Sequence, residues 1–442
     1  MSRRTTGPIV ALLLALAVPT AASAGAFGLE RGGGLTRASA YEADPDGYAR
    51  GLVVPASLTP PAAFAPIGLV DDVVDAGVPD VAQVKVLKSS PGKLLNVSGN
   101  PEVAHGTEVA SVAAGRADGQ GVLGIAPGAP LLSWGYKTLS CDEVSEGIIA
   151  LAEAGAKVIN LSFETEEDCA SLRIAIAAAY GDGALIVASA GNEGDNGDPT
   201  EYPAAYPHVL TVGALSLANA PAAFSSSGRG LDLVAPGEAI PVALPNALDR
   251  DGTAEGLTRV DGTSFAAPMV SGVASWLIAA RPKLAPSQYA DLLRTTARNA
   301  GIAGWNAHSG FGSVDLAAAL TASVPAADRG EPNDDASQVD GSLFDRPDAY
   351  VTGSVKATIA PYEDPADYYR VRVKARSSRT VKLTTTAKGL TLSGYRGTTR
   401  VASSGKTIKL RNTTGVSRTF YAVVRASGAR VAAGLTYTLK VG

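Results

Sequence analysis

Three side chains of this sequence are of the types that nucleophilic catalysis requires. Ser264 follows a glycine turn in the run DGTSFAAPMVSG, residues 261 to 272, and opens an apolar stretch that reaches about Ala280. A serine at that place is often only a helix N-cap. A nucleophile also benefits there, because backbone N–H groups at a helix N-terminus can face a developing oxyanion. Such a serine needs a base to take its proton.

His105 is the best candidate for that base among the 3 histidines of the chain. A lone histidine is more often structural than catalytic, but the context HGTEVASVAAG is narrow. Gly106 allows a sharp turn there, and Thr107 is expected to cap the apolar helix that follows. We therefore predict that His105 accepts the proton of the nucleophile.

An orienting carboxylate and an amide donor complete the set. Asp71 is the first polar residue after the apolar run at 66 to 70, and sites in α/β sheets lie at such strand ends; Asp72 and Asp75 are the alternatives. Asn192, in ASAGNEG at 188 to 194, would be a simple turn residue if it stood alone. Together with Asp, His and Ser, its side-chain amide is suited to stabilising an oxyanion.

The elements that must hold these residues alternate between strand-like and helix-like segments. Apolar runs predict buried parallel strands at 66 to 70, 157 to 161, 184 to 188 and 209 to 212. Helical spacing occupies 143 to 154 and 170 to 179. We therefore predict an α/β fold, a three-layer domain with a mostly parallel sheet, over residues 65 to 322. A linker at 323 to 341 then leads to a small all-β sandwich at 342 to 442, where residues alternate by twos.

Composition agrees with two folded domains. The 442 residues are 46% hydrophobic and 18% charged, which excludes a disordered chain or a coiled coil, and 2 Cys exclude a disulfide scaffold. Residues 25 to 330 carry 18 Lys+Arg and 33 Asp+Glu, net −15, whereas residues 331 to 442 carry 18 and 9, net +9. This asymmetry predicts different partners for the two parts.

The N-terminus has the pattern of a signal peptide. Two arginines precede ten apolar residues at 9 to 18, and the small residues at 22 to 24 predict cleavage after Ala24; an uncleaved anchor is the alternative. The mature chain, with an extension at 25 to 64, is then secreted and has no transmembrane segment. Export also predicts a Cys141–Cys169 disulfide, since each Cys lies near the start of a helix after a neighbouring strand. Two unpaired thiols are the alternative.

The sequence resembles the subtilisin-like serine peptidases, or subtilases, over residues 65 to 320. Four blocks carry the resemblance: IGLVDDVVDAGVPDV, HGTEVA, SAGNEG and GTSFAAPMVSG. Their order, Asp then His then Ser, is that of subtilisin. The resemblance implies a secreted serine endopeptidase in which Asp71 orients His105, His105 deprotonates Ser264, and Asn192 stabilises the oxyanion. The chain departs from the family pattern at Val73, usually Gly, and at Glu108, often a second His.

The resemblance also implies substrate-binding residues. The segment NLSFE matches the family strand that pairs with substrate, which gives Ser162, Phe163 and Glu164 this role. Relatives usually have Gly in place of Glu164, so its carboxylate is expected to favour basic substrate side chains. The alternative is a solvated acidic loop that points away, in which case large apolar residues would be preferred.

Cofactor and partner expectations follow from the same resemblance. No cofactor is required for the chemistry, and a structural Ca2+ is suggested, with Asp80 and Asp118 at positions that match two ligands. The tail, with EPNDDA and DPADYYRVRV, resembles pre-peptidase C-terminal domains. We expect it to bind anionic surface polymers, the alternatives being a spacer or a module that docks on the acidic main domain. Polypeptides are the expected substrates, and no nucleic acid is expected.

Two alternative functions fit the sequence less well. A catalytically silent subtilase fold used as an extracellular binding protein would usually lack a catalytic residue, and none is missing here. An α/β-hydrolase esterase is excluded because Ser264 does not lie in a Gly-x-Ser-x-Gly sequence.

Overall fold

The computed structural model describes residues 48–88, 104–136, 139–249, 256–328, 330–344 and 350–442. The predicted signal peptide and most of the predicted extension therefore lie outside the described residues. The helix α1, Tyr48–Val53, belongs to that extension, and Val53 and Val54 are buried in the core of the following domain. The division of the chain into domains stays a prediction.

A seven-stranded parallel sheet forms the centre of the first domain, which confirms the α/β prediction. The strands are β1 Ile67–Asp71, β2 Val84–Lys88, β3 Leu131–Gly135, β4 Val158–Leu161, β5 Leu185–Ser189, β6 Val209–Leu215 and β7 Leu233–Pro236. Their order is β2-β3-β1-β4-β5-β6-β7. Strands β4 to β7 are buried at every residue, because helices cover both faces of the sheet.

Helices of two groups cover the sheet. On one face α2, His105–Ala114, packs with α5, Thr263–Ala280, and on the other face α3, Cys141–Glu153, packs with α4, Ala170–Gly181. The remaining helices of this domain are α6, Pro286–Thr296, and α7, Leu316–Thr321. The helix α3 begins two residues before the predicted start because the Ser140 side chain caps it, accepting the N–H of Glu143 at 3.3 Å.

Two features of these helices bear on the predictions. The Cys141–Cys169 disulfide joins the start of α3 to the residue before α4, as predicted. Among the described residues, α5 is the one helix that is long and apolar enough to cross a membrane by length and composition. Of its 18 residues, 89% are buried inside the protein, so α5 is a helix of the core.

An all-β sandwich follows, as the alternation by twos predicted. The first domain also contains a hairpin of β8 Ile240–Ala243 and β9 Leu257–Val260. The strands of the sandwich are β10 Gly353–Ile359, β11 Ala366–Val373, β12 Ser377–Thr384, β13 Thr391–Arg396, β14 Thr399–Ser404, β15 Thr407–Asn412, β16 Arg418–Arg425 and β17 Leu435–Val441. One antiparallel sheet has the order β10-β17-β12-β15 and the other β11-β16-β13-β14. The segment predicted as a linker contains the helix α8, Ala336–Asp340.

Buried ion pairs join the sandwich to the α/β domain. Arg430 of the sandwich contacts Asp232, the residue before β7, across this boundary, and Glu363 within the sandwich. Asp232 is also paired with Arg294 of α6 at 2.8 Å. His208 lies 3.0 Å from Asp334 and stacks on Tyr180 at 4.3 Å between ring centroids. The two domains are therefore docked through desolvated charges.

Candidate active site

The end of strand β1 places a carboxylate against the first residue of α2. Asp71 is the last residue of β1, which lies between β3 and β4, where the connections of the sheet change direction. Its Oδ1 atom lies 2.7 Å from Nδ1 of His105, and its side chain is 1% exposed. The structure thus brings Asp71 and His105 into hydrogen-bond contact.

The neighbouring polar residues have other contacts. Asp72 accepts the backbone N–H of Gly106 at 2.6 Å, and Asp75 accepts that of Gly77. The prediction that Thr107 caps α2 is wrong, because the N-cap position is Ala104 and the Thr107 hydroxyl instead accepts the N–H of Asp75 at 2.9 Å. Thr107 therefore ties α2 to the loop after β1.

Ser264 is the second residue of α5, not its N-cap. The N-cap position is held by Gly262, whose φ of 150° favours glycine. Ser162 Oγ donates to the carbonyl of Ser264 at 2.8 Å, and Ser264 Oγ lies 3.4 Å from the carbonyl oxygen of Ser162. The rings of His105 and Phe265 are 5.7 Å apart, which brings the histidine to the start of α5.

Asn192 has a fixed orientation at the start of the same helix. Its Oδ1 atom accepts hydrogen bonds from the backbone N–H of Thr263, at 2.9 Å, and from the Thr263 hydroxyl, at 3.0 Å. The Nδ2 amide group is the hydrogen-bond donor of this side chain. The two contacts at Oδ1 fix the direction in which the Nδ2 N–H bonds point. Gly191 adopts a φ of 105° in the turn that presents Asn192.

The electrostatics of the site favour a charged imidazole. Burial lowers the pKa of His105, but the charge of Asp71, its hydrogen bond and the charges of Asp72 and Glu108 raise it to about 9. Glu108, which is 8% exposed, has its own pKa raised to about 7, mainly by burial. The resemblance identified Glu108 as a departure from the family pattern, and its spacing of three residues on the same helix places it beside His105.

The predicted substrate-binding residues lie where β4 ends. Ser162, Phe163 and Glu164 are all buried, and Asn160 Nδ2 donates to Ser162 Oγ at 2.9 Å. Glu166, Glu167 and Asp168, by contrast, are exposed. The structure therefore separates Glu164 from the rest of the acidic stretch.

Two further glutamates near Asn192 were missed by the sequence reasoning. Glu193 follows Asn192 directly in the sequence ASAGNEG, so the motif alone could have shown that Glu193 lies beside Asn192. Glu201 packs against Gly191, at the other end of a loop, and no spacing rule gives that contact. Both carry a buried carboxylate oxygen that has no hydrogen-bond partner in the described part of the chain.

Carboxylates that could hold a metal lie elsewhere. Asp80 accepts the N–H of Val122 at 2.7 Å, while Asp118 accepts that of Gln120. Four carboxylates form a compact group between the two domains. One oxygen of each lies within 4.8 Å of the others: Asp328, Glu331, Asp364 and Asp367. Carboxylate oxygens are the ligands that Ca2+ prefers.

The buried members of this group fit a cation. Asp367 is 0% and Asp364 6% exposed, and neither Asp364 oxygen receives a hydrogen bond from the described residues. Burial and the neighbouring carboxylates raise the pKa of both groups well above the usual range. A bound cation would relieve this repulsion.

Comparison with known proteins gives the family. The model of the Subtilase family matches residues 67–312, more than half of the chain. Subtilisin DY of Bacillus licheniformis is 33% identical over 243 residues, 53% of this chain and 84% of that protein. Fervidolysin of Fervidobacterium pennivorans is 34% identical over 245 residues, 50% of this chain but 35% of that protein.

Solved structures agree with this result. The structure of patellamide maturation protease PatA matches with a TM-score of 0.51 at 28% identity, and the match covers 60% of this chain and 98% of that chain. The range matched by the family model, 67–312, includes Asp71, His105, Asn192 and Ser264. The chain belongs to the Subtilase family and is a serine endopeptidase.

Proposed function

We propose that this protein hydrolyses polypeptides through an Asp71-His105-Ser264 triad and an acyl-enzyme intermediate. His105 takes the proton of the Ser264 hydroxyl as the oxygen attacks the scissile carbonyl, and then gives it to the leaving amine. Water attacks the resulting ester by the same route and regenerates the serine. Asp71 holds the imidazole so that its Nε2 atom is the base.

Asn192 is the proposed donor to the oxyanion. Its Nδ2 amide group and the backbone N–H of Ser264 would donate hydrogen bonds to the carbonyl oxygen and stabilise the negative charge that develops there. The observation that carries the proposal is the 2.7 Å contact between Asp71 and His105, whose ring lies 5.7 Å from that of Phe265, the residue after Ser264. The alternative is a catalytically silent subtilase fold, which would have the same architecture but would not hydrolyse peptides.

Active-site labelling combined with a digest tests the proposal. The purified chain is treated with a fluorophosphonate probe, and a separate sample digests an unstructured protein whose cut sites are sequenced. We expect label on Ser264 and peptide products, and neither in Ser264→Ala. Wild-type protein that binds no label and cuts no protein would favour the silent alternative.

We also propose that the protein acts outside the cell. The support is the charged, apolar and small-residue pattern of residues 1 to 24, together with the disulfide, which an oxidising compartment maintains. N-terminal sequencing of the exported protein tests this and would give Gly25 as the first residue or a later one. Recovery of an intact Met1 terminus in the membrane fraction would contradict it.

A structural calcium ion is proposed for the carboxylates between the domains. Asp328, Glu331, Asp364 and Asp367 would hold it, and it would neutralise charge there without taking part in catalysis. Removing calcium with a chelator should lower the unfolding midpoint of Ser264→Ala protein. Asp364→Asn should abolish that dependence; an unchanged chelator effect would contradict this placement.

We propose that the sandwich binds an anionic polymer through the outer face of one sheet. Five basic residues are exposed on that face: Lys356, Lys382, Lys409, Arg411 and Lys440. Lys382 and Lys440 are direct cross-strand partners, an arrangement of like charges that destabilises a sheet. None of the five enters the ion pairs of the described domain interface.

Binding to polyphosphate provides a test in the full chain. A Ser264→Ala protein should bind with an affinity that falls as salt rises, because the charges are exposed. Combining Lys382→Ala, Lys409→Ala and Lys440→Ala should remove most of the binding. Lys283→Ala, an exposed lysine of the α/β domain, is the control. Equal binding by the triple variant would contradict the proposal.

A further inference from the structure

Three glutamates approach Asn192 from separate parts of the chain. Glu164 follows β4, Glu193 follows Asn192, and Glu201 lies in the loop before β6. Backbone hydrogen bonds between Thr165 and Tyr202, at 2.9 and 2.8 Å, hold two of these segments side by side. The three residues are called the acidic cluster below.

Glu201 is the deepest member of the cluster. Its side chain is 5% exposed, and a Cβ atom on Gly191 would lie only 1.3 Å from its Oε2 atom. Oε2 has no hydrogen-bond partner within the described residues. The N–H of Gly191 donates to the Thr263 hydroxyl at 3.2 Å, so Glu201 lies behind the turn that contacts the residue before Ser264.

Glu164 and Glu193 line the same turn. Glu164 is 8% exposed, and the nearby backbone N–H of Asn192 favours the charged form of its carboxylate. Glu193 has its N–H bound to Ser226 Oγ at 2.9 Å, and its Oε1 atom is buried without a partner in the described structure. The cluster thus surrounds the turn that carries Asn192.

The cluster has no Lys or Arg partner in the described structure, and the one positive charge that acts on it is that of His105 on Glu164. In the described parts of the chain no Lys or Arg forms an ion pair with any of its members. Burial, with repulsion from Glu164 and Glu193, raises the pKa of Glu201 to about 8. Burial, with repulsion from Glu193, raises the pKa of Glu164 to about 7. Buried carboxylates without counter-charge are unfavourable unless a ligand supplies the charge.

We propose that the acidic cluster recognises a Lys or Arg side chain on the substrate residue whose carbonyl Ser264 attacks. This inference rests on the proposed function. The Cβ atom of that residue is two bonds from the attacked carbon, so its side chain starts beside Asn192 and the cluster. An Arg guanidinium has five N–H donors and can contact several carboxylates at once, so Arg is preferred over Lys.

A metal ion fits the cluster less well. Calcium needs its oxygen ligands 2.3–2.6 Å away, hence close to one another. The carboxylate groups of the described chain whose oxygens come within 4.8 Å of one another do not include the acidic cluster. A guanidinium, with donors spread over its plane, can span the larger separation.

Peptide anilides that differ only in the residue before the scissile bond test the inference. We expect kcat/KM for the Arg substrate to exceed that for the Met substrate, and Glu201→Gln to lower the Arg value at least about 30-fold, as for loss of a buried charge partner. The Met value should change by less than about 3-fold. Glu166→Gln, an exposed glutamate of the neighbouring loop, is the matched control and should change neither value.

Labelling of Ser264 by a fluorophosphonate distinguishes failure of the protease function from failure of the acidic cluster's role. The probe carries no peptide side chain, so it reports on Ser264 alone. Wild type that labels and cleaves the Arg and Met substrates equally well would overturn the cluster's role but keep the protease. Wild type that neither labels nor cleaves any substrate would overturn both. If Glu201→Gln fails to label, Glu193→Gln replaces it. A variant that labels normally and loses both substrates equally would also overturn the inference.

Discussion

Replacing Arg430 by Ala should destabilise the whole protein, because this residue holds the two domains together. Its side chain is 5% exposed and contacts Asp232, which is 1% exposed, and Glu363, which is 8% exposed. The guanidinium also donates to the carbonyl of Leu231 at 2.8 Å and lies 4.7 Å from the ring centroid of Tyr362.

The loss of stability in Arg430→Ala depends on which carboxylates are left without a partner. Removing one partner of a buried ion pair costs about 3–5 kcal/mol, since the other charge is left uncompensated. Asp232 keeps its 2.8 Å contact with Arg294, so Glu363 is the carboxylate that loses its partner. We therefore expect a loss of about 3 kcal/mol, the lower end of that range.

Denaturant unfolding of Ser264→Ala protein, which cannot digest itself, measures this free energy. Arg411→Ala, an exposed arginine of the same sandwich, is the control and should change it by no more than about 0.5 kcal/mol. Combining Arg430→Ala with Glu363→Gln should recover part of the loss in a double-mutant cycle. A loss for Arg430→Ala no larger than the control value would refute the reasoning.

Three other predictions concern the catalytic site and the disulfide. Asn192→Ala should lower kcat about 10² to 10³-fold, the effect known for the corresponding donor of subtilisin, with little change in KM; an unchanged kcat would contradict its role. Cys141→Ser with Cys169→Ser should lower the free energy of unfolding by about 3–4 kcal/mol in the chain-entropy model, as denaturant titration would measure, since the bond closes a loop of separation 28. Because only neutral His105 accepts a proton, kcat/KM should rise with pH up to about 9; Glu108→Gln removes a negative charge that favours the imidazolium, so the rise should move to lower pH. A pH profile that does not move, or moves upward, would argue against this electrostatic account.

The sheet could be predicted because its signals are local. Strands buried on both faces are apolar at nearly every residue, as at 184 to 188, and such runs mark parallel strands directly. Helix ends are harder to predict from the sequence, because a single capping residue can decide where a helix begins. Ser140 extends α3 by two residues beyond the predicted start.

Contacts that depend on loop closure could not be predicted. Glu201 reaches Gly191 only because the loop after Asn192 folds back, and no period in the sequence encodes that return. Arg430 and Asp232 are separated by 198 residues, so charge alone could not pair them. The hydroxyl of Thr107 suited a cap, but its place in the third position of the helix gave it a different partner.

The acyl-enzyme on Ser264 is the most direct test of the proposed chemistry. Wild type is mixed with an activated ester substrate, quenched rapidly in acid and analysed by mass spectrometry of the intact chain and of its peptides. We predict a mass increase equal to the acyl group less the hydroxyl hydrogen that it replaces, located on the peptide that contains Ser264, and none in Ser264→Ala. Ester turnover with no acylated Ser264, or with equal acylation in Ser264→Ala, would contradict the account.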